Sequence, residues 1–221
     1  MFNRRMLITG LLGGAATALM QPATVRSETQ PTAKSGSSFP NMNLITHEGQ
    51  SVRFYDDLLR GKTVLINMMY AQCEGICPGM TANLSRVQKA LGDQVGRTVF
   101  MYSLTLQPDQ DTPAVLADYV QMHRIRPGWK FLTGNRVDIE AVRGSLGFFD
   151  RDPAIDGDKT QHTGMVLIGN DALNRWCSTP AMREPEQIVA AIRMMNRSIS
   201  VGNNGLPTKE AIHDRRTSLI P

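Results

Sequence analysis

Two cysteines four residues apart, in the stretch Cys73-Glu-Gly-Ile-Cys77-Pro, are the side chains of this 221-residue chain best placed to do chemistry. If the intervening turn is helical, their Cα atoms lie about 6 Å apart, inside the range a disulfide tolerates. The same spacing lets both sulfurs converge on one metal ion, and thiolates favour soft ions such as Cu(I). The bland alternatives are a stabilising disulfide or two core cysteines, but disulfide staples mostly rescue small domains with weak cores. Disulfide chemistry and metal binding both stay open at this point.

The flanking residues predict where the sulfurs sit. Thr63 to Tyr70 form a continuous apolar run, too apolar throughout for a half-exposed strand, and read as a buried one. Pro78 suits the first position of a helix, where its missing N–H costs nothing. Beyond it Met80, Leu84, Val87 and Leu91 recur on one helical face. The cysteines then lie where a central strand gives way to a helix N-terminus, whose unpaired N–H groups and dipole favour thiolate over thiol.

Further elements follow the same logic. Met42–Ile45 and Val52–Phe54 flank His47–Gln50 as a small hairpin, and Asp56–Gly61 reads as one helical turn ended by glycine. Thr98–Leu104 is a second apolar strand. Thr112 and Pro113 are the N-cap and first residue of a helix that buries Val115, Leu116, Tyr119, Val120 and Met122. Trp129–Leu132 is a short strand, and Ile139, Val142 and Leu146 mark a helix closed by Gly147. A polar loop from Asp150 to Gln161 leads to His162. A hairpin of Met165–Ile168 and Leu173–Cys177 turns around Gly169–Asp171, and a last helix from near Pro185 buries Ile188, Val189, Ile192 and Met195. Strands alternating with helices, then a hairpin and a helix, describe an α/β fold with a mixed sheet flanked by helices. The cysteine pair at the strand-to-helix corner makes it thioredoxin-like.

Composition is that of a soluble globular protein, 41% hydrophobic and 20% charged. The net charge is +4, and no dense basic run or aromatic-basic interleaving indicates a nucleic-acid partner. Residues 1–22 read as a signal peptide or N-terminal anchor: Arg4-Arg5 precede an apolar run from Met6 to Met20, and the start resembles a twin-arginine export signal. Residues 23–38 form a flexible linker, 39–197 the thioredoxin-like domain, and 198–221 a polar C-terminal tail. The domain is therefore expected in the periplasm, exported or tethered to the inner membrane, with membrane contact only through the N-terminus. Disulfides persist there.

In four stretches the chain resembles the Sco (SenC) proteins, thioredoxin-like copper chaperones of cytochrome c oxidase assembly. They are Cys73-Glu-Gly-Ile-Cys77-Pro, Gln107-Pro-Asp-Gln-Asp-Thr-Pro, Arg126-Pro-Gly-Trp-Lys-Phe-Leu-Thr-Gly and Gln161-His162-Thr. The likeness runs from about Phe39 to Asn196. It implies that Cys73, Cys77 and His162 bind one copper ion, a soft low-coordinate set that leaves room for exchange with a partner. Zinc is compatible with the same ligand types. The chain departs from the family pattern at Glu74, where proline is usual, and at Gln107 and Gln161, where an acidic residue is usual. The Gln161 departure bears on how His162 is oriented, because ligating imidazoles lean on an outer acceptor. The remaining histidines are given structural readings: His123 ends a helix where a cation suits the dipole, and His47 and His213 sit in a polar turn and in the tail.

Two functions follow. One is a copper metallochaperone that delivers copper to a respiratory oxidase copper site outside the cytoplasm. The other is a thiol-disulfide oxidoreductase, with Cys73 and Cys77 as catalytic pair, that reduces the cysteines of that site. Expected partners are the oxidase subunit bearing the copper site and another copper carrier or thiol reductant. Glu74 favours the chaperone, since its charge disfavours thiolates without metal and favours a bound cation. A peroxidase wants a single cysteine flanked by Thr and Arg, and a scaffold has no use for the pair. Cys177, after Trp176, is expected to be a buried small hydrophobe outside the chemistry.

Overall fold

The computed structural model describes residues 39–158 and 164–197. The expected leader or anchor, the linker, Gln161 with His162, and the tail with His213 lie outside the described residues. Among the described residues seven strands form one sheet: β1 (Asn43–Thr46), β2 (Ser51–Arg53), β3 (Thr63–Met69), β4 (Val99–Thr105), β5 (Trp129–Thr133), β6 (Met165–Asn170) and β7 (Arg175–Pro180). Their spatial order is β2-β1-β5-β4-β3-β6-β7. The helices are α1 (Ile76–Leu91), α2 (Pro113–Met122), α3 (Arg136–Ser145), α4 (Pro153–Gly157) and α5 (Pro185–Asn196).

β3 is central because every one of its residues is apolar or internally bonded, and all seven are buried. It pairs parallel with β4 and antiparallel with β6, while β4 pairs parallel with β5. The parallel pairs need crossovers, supplied by α1 and α2. α1 buries Met80, Leu84, Val87 and Leu91, the stripe its spacing predicts, and packs against α5. Buried Trp129 donates its indole N–H to Ser103 Oγ at 2.9 Å, and Ser103 donates to Asn67 Oδ1 at 2.8 Å, so these three polar groups inside the sheet satisfy one another. Thr112 caps α2 by accepting the Val115 N–H at 3.3 Å, with Pro113 first in the helix, as its sequence predicts.

Several expectations are corrected. α1 starts at Ile76 rather than Pro78, so Cys77 already belongs to the first turn. Proline is tolerated throughout that turn, because none of its N–H groups has a partner inside the helix. The helical turn expected over Asp56–Gly61 begins at Phe54, runs to Leu59 with wide π geometry, and buries Phe54, Leu58 and Leu59. Met122 is exposed, because α2 ends there and its buried side is Leu116 and Tyr119. The loop after Asp150 contains α4, which is capped by the Asp152 side chain on the Ala154 N–H. The late hairpin strands extend to Asn170 and from Arg175, so the turn lies beyond Gly169. A Cβ on Gly169 would overlap the Trp176 ring, reaching within 2.6 Å of Cη2, and only glycine fits that close approach. Among the described residues no helix is long and apolar enough to cross a membrane.

Candidate functional site

β3 ends at Met69, and the chain turns through Tyr70 to Gly75 before α1 begins. The Cys73 N–H donates to the Tyr70 carbonyl at 3.3 Å, which closes the turn and carries Cys73 back over the end of the central strand. Cys73 and Cys77 are both buried, at 7% and 1% exposure. Both are thiols, and each sulfur is hydrogen-bonded to the other.

The environment separates the two thiols. Burial works to raise the Cys73 pKa. It is outweighed by the Cys77 thiol, the backbone N–H groups of Cys77 and Gly75, and the Tyr70 hydroxyl, all donating to Cys73 Sγ, so its pKa falls below the ordinary thiol range. Cys77 is pushed up to about 12, by burial first, then by its bond to Cys73 and by the negative charges of Cys73 and Asp111. The Tyr70 phenol is raised to about 12 by its bond to Cys73, by burial, and by the charges of Cys73, Cys77 and Asp158. On raising the pH, Cys73 therefore loses its proton before Cys77. Alkylation checks this. Iodoacetamide is expected to modify Cys73 well before Cys77, and the Cys73 rate levels off at a pH below that of a free thiol, since the thiolate is full above its lowered pKa. Equal rates at the two positions would contradict the split.

Glu74 is exposed, and the carboxylate that bears on Cys77 is Asp111, buried at 1% exposure beneath the turn. Tyr70 and Asp111 are the site residues missed in the sequence. Tyr70 reads there as the last apolar residue of a strand, and Asp111 as part of a helix start.

His162 lies outside the described residues, between Asp158 and Gly164. Asp158 lies close enough for its charge to act on the Tyr70 phenol. Gly164 packs against Ile76 of the cysteine motif: a Cβ there would overlap Ile76 Cδ1 and stand 3.7 Å from Met80 Sδ. Among the described residues no three His, Cys, Asp or Glu side chains converge as a metal cluster.

The other histidines are accounted for elsewhere. His47 Nδ1 accepts the Phe131 N–H at 3.2 Å. His123 ends α2 with its ring 4.2 Å from that of Tyr119, but burial lowers its pKa, which disfavours the cation expected there. Cys177 pairs in register with Ile168, which pairs with Leu65, well below the end of β3 that carries Cys73. It is half-buried on an edge strand rather than fully buried, and burial raises its pKa.

A mixed sheet with a hydrogen-bonded dithiol where its central strand meets a helix defines a thioredoxin-like dithiol protein. Within that class the chain belongs to the SCO1/SenC family, whose model matches residues 27–197. It is similar to the mitochondrial SCO2 homolog of Bos taurus, 31% identical over 86% of this chain and 74% of that protein. It is 32% identical to the SCO1 protein homolog of Bacillus subtilis over 51% of this chain, spanning 60% of that protein's length. Among solved structures, the copper-bound ScoI of Bradyrhizobium japonicum is 26% identical over 69% of this chain and 96% of its own, with a TM-score of 0.56.

Proposed function

We propose that this protein is a copper metallochaperone: it holds one copper ion between Cys73 and Cys77, with His162 as third ligand, and passes it to a respiratory oxidase copper site outside the cytoplasm. The observation that carries the reading is the buried, mutually bonded sulfur pair, in a chain similar to a relative solved with copper bound. Two buried sulfurs are a donor set for a soft ion. The resemblance to the Sco family supports His162, and so do the two flanks of its segment: the Asp158 charge acts on the Tyr70 phenol, and Gly164 packs against Ile76. Loading displaces the Cys77 proton, so retention weakens as pH falls. An oxidase subunit as recipient rests on family membership, and an extracytoplasmic site rests on Arg4-Arg5 and the apolar run that follows.

The oxidoreductase reading has one observation of its own, the split between the thiols. Cys73 thiolate would attack a target disulfide, and Cys77 would then resolve the mixed disulfide, leaving the target reduced and Cys73–Cys77 oxidised. Cys77 is poorly suited to that second step, being 1% exposed and pushed up to about 12. A resolving thiol works best with its pKa near ambient pH. The same burial suits a retained metal ligand.

The test is metal analysis of the purified domain together with a His162→Ala variant. One copper per chain is expected, with retention in the variant weakened at least about tenfold, since even residues that merely orient a ligand cost 10–100-fold. Unchanged retention in His162→Ala would remove it from the ligand set. Reduction of a model disulfide by the metal-free domain as fast as by a thioredoxin would favour the second reading.

A further inference from the structure

Asp111 is a carboxylate buried to 1% exposure. Among the described residues no Lys or Arg pairs with it, although burying an uncompensated charge is unfavourable. What holds it is the backbone beneath the cysteine turn. Its two oxygens accept the Ala71 N–H at 3.3 and 3.1 Å, and the second also accepts the Thr105 hydroxyl. The Thr105 oxygen accepts the Gln107 N–H at 2.9 Å, and the Asp111 N–H donates to the Gln107 carbonyl at 2.9 Å. Leu106 N–H donates to the Met69 carbonyl at 2.8 Å, which extends the β3–β4 pairing to the foot of the turn. The carboxylate therefore closes a ring of bonds joining the last residue of β4, the loop after it, and Ala71 in the turn that carries Cys73.

A carboxylate accepts strongly from several donors at once, which a turn needs when a sulfur must be held at one place over a strand end. Ala71 is two residues before Cys73 and directly follows Tyr70, whose hydroxyl donates to Cys73 Sγ, so the grip on Ala71 sets both. We propose that Asp111 is the positioning residue of the cysteine turn: by tying Ala71 to Thr105 at the end of β4, it holds Cys73 Sγ in place opposite Cys77. As an influence on copper this role rests on the chaperone reading above; as an influence on the dithiol it does not.

The test uses the full chain with Asp111→Ala, Asp111→Asn and Thr105→Val, and two readouts. One is copper(I) retention against a chelator. The other is the dithiol–disulfide equilibrium of Cys73 and Cys77 in glutathione buffers, measured on metal-free protein well below its melting temperature. In Asp111→Ala, retention is expected to fall about tenfold and the dithiol–disulfide constant to shift by a similar factor, the usual scale for a residue that orients a ligand. Asp111→Asn keeps an acceptor for the Ala71 N–H and restores most of both. Thr105→Val, which removes one bond of the ring, falls between. A residue needed only for stability would lower the melting temperature and move neither readout. A folded Asp111→Ala with wild-type values overturns the proposal, and so does Asp111→Asn behaving like Asp111→Ala. If the alanine variant does not fold, Thr105→Val decides, and wild-type values there overturn it. If the wild type holds no copper but its variants shift the dithiol equilibrium, the chaperone reading fails and the positioning role stands.

Discussion

Cys77→Ala abolishes copper retention by the purified domain, Cys73→Ala does the same, and Cys177→Ala leaves it unchanged. The first two losses follow from the donor set. Cys73 and Cys77 supply both sulfurs at the end of β3, and a single thiolate cannot hold a soft ion against a competing chelator. Loss of at least about 100-fold is expected for either, at or beyond the upper end of what outer-shell changes cost. The third outcome follows from register: Cys177 faces Ile168 on the edge strand and belongs to the hydrophobic packing. Retention unchanged in Cys73→Ala would remove the ion from this turn. A mixed disulfide trapped between Cys177 and either partner in the native protein would place Cys177 in the chemistry.

The second large effect is on stability. Gly169→Ala puts a methyl group inside the Trp176 ring, which lies across Gly169 on the neighbouring strand and contacts Phe39 at 4.7 Å between centroids. The ring must swing out over the sheet edge and give up that packing. A cost of about 3 kcal/mol is expected, the upper end for overpacking, and it lowers the melting temperature by roughly 6–12 °C in a domain of this size. Gly169 pairs with Val64, near the start of β3, so copper retention below the melting range should be unchanged. Calorimetry checks the first part, and chelator competition on the same sample checks the second. A variant melting with the wild type would show that the edge strand yields freely.

Much of the scaffold was legible because its signals are local. The apolar run at Thr63–Tyr70, the four-three-four spacing from Met80 to Leu91, and Thr112-Pro113 each state an element within a few residues, and each stands in the structure. Local signals also misled. Pro78 marks a first turn without saying which of its residues comes first, and α1 begins two residues earlier. α4 is capped by Asp152 and opened by Pro153, but five residues are too few to show an apolar stripe. Met122 fits the periodicity of α2 and yet, as its last residue, is exposed.

The site was half legible. The cysteine pair announces itself by type and spacing, whereas Asp111 and Tyr70 do not. A carboxylate among Pro, Gln and Thr reads as solvated, and its burial depends on Ala71 and Thr105, which only the folded sheet brings to it. Glu74, the charge visible between the cysteines, is exposed, whereas a buried carboxylate whose charge raises the Cys77 pKa is Asp111. The Gln107–Pro113 stretch of the family resemblance held the missing signal, since Asp111 stands inside it.

The proposed copper site joins Cys73, Cys77 and His162 on one ion. X-ray absorption at the copper edge of the Cu(I)-loaded domain tests it most directly, by counting the ligand atoms. Two sulfur neighbours and one nitrogen are expected, with the nitrogen lost in His162→Ala and one sulfur lost in Cys73→Ser. A shell of nitrogen and oxygen alone, or two sulfurs that survive Cys73→Ser, would contradict it.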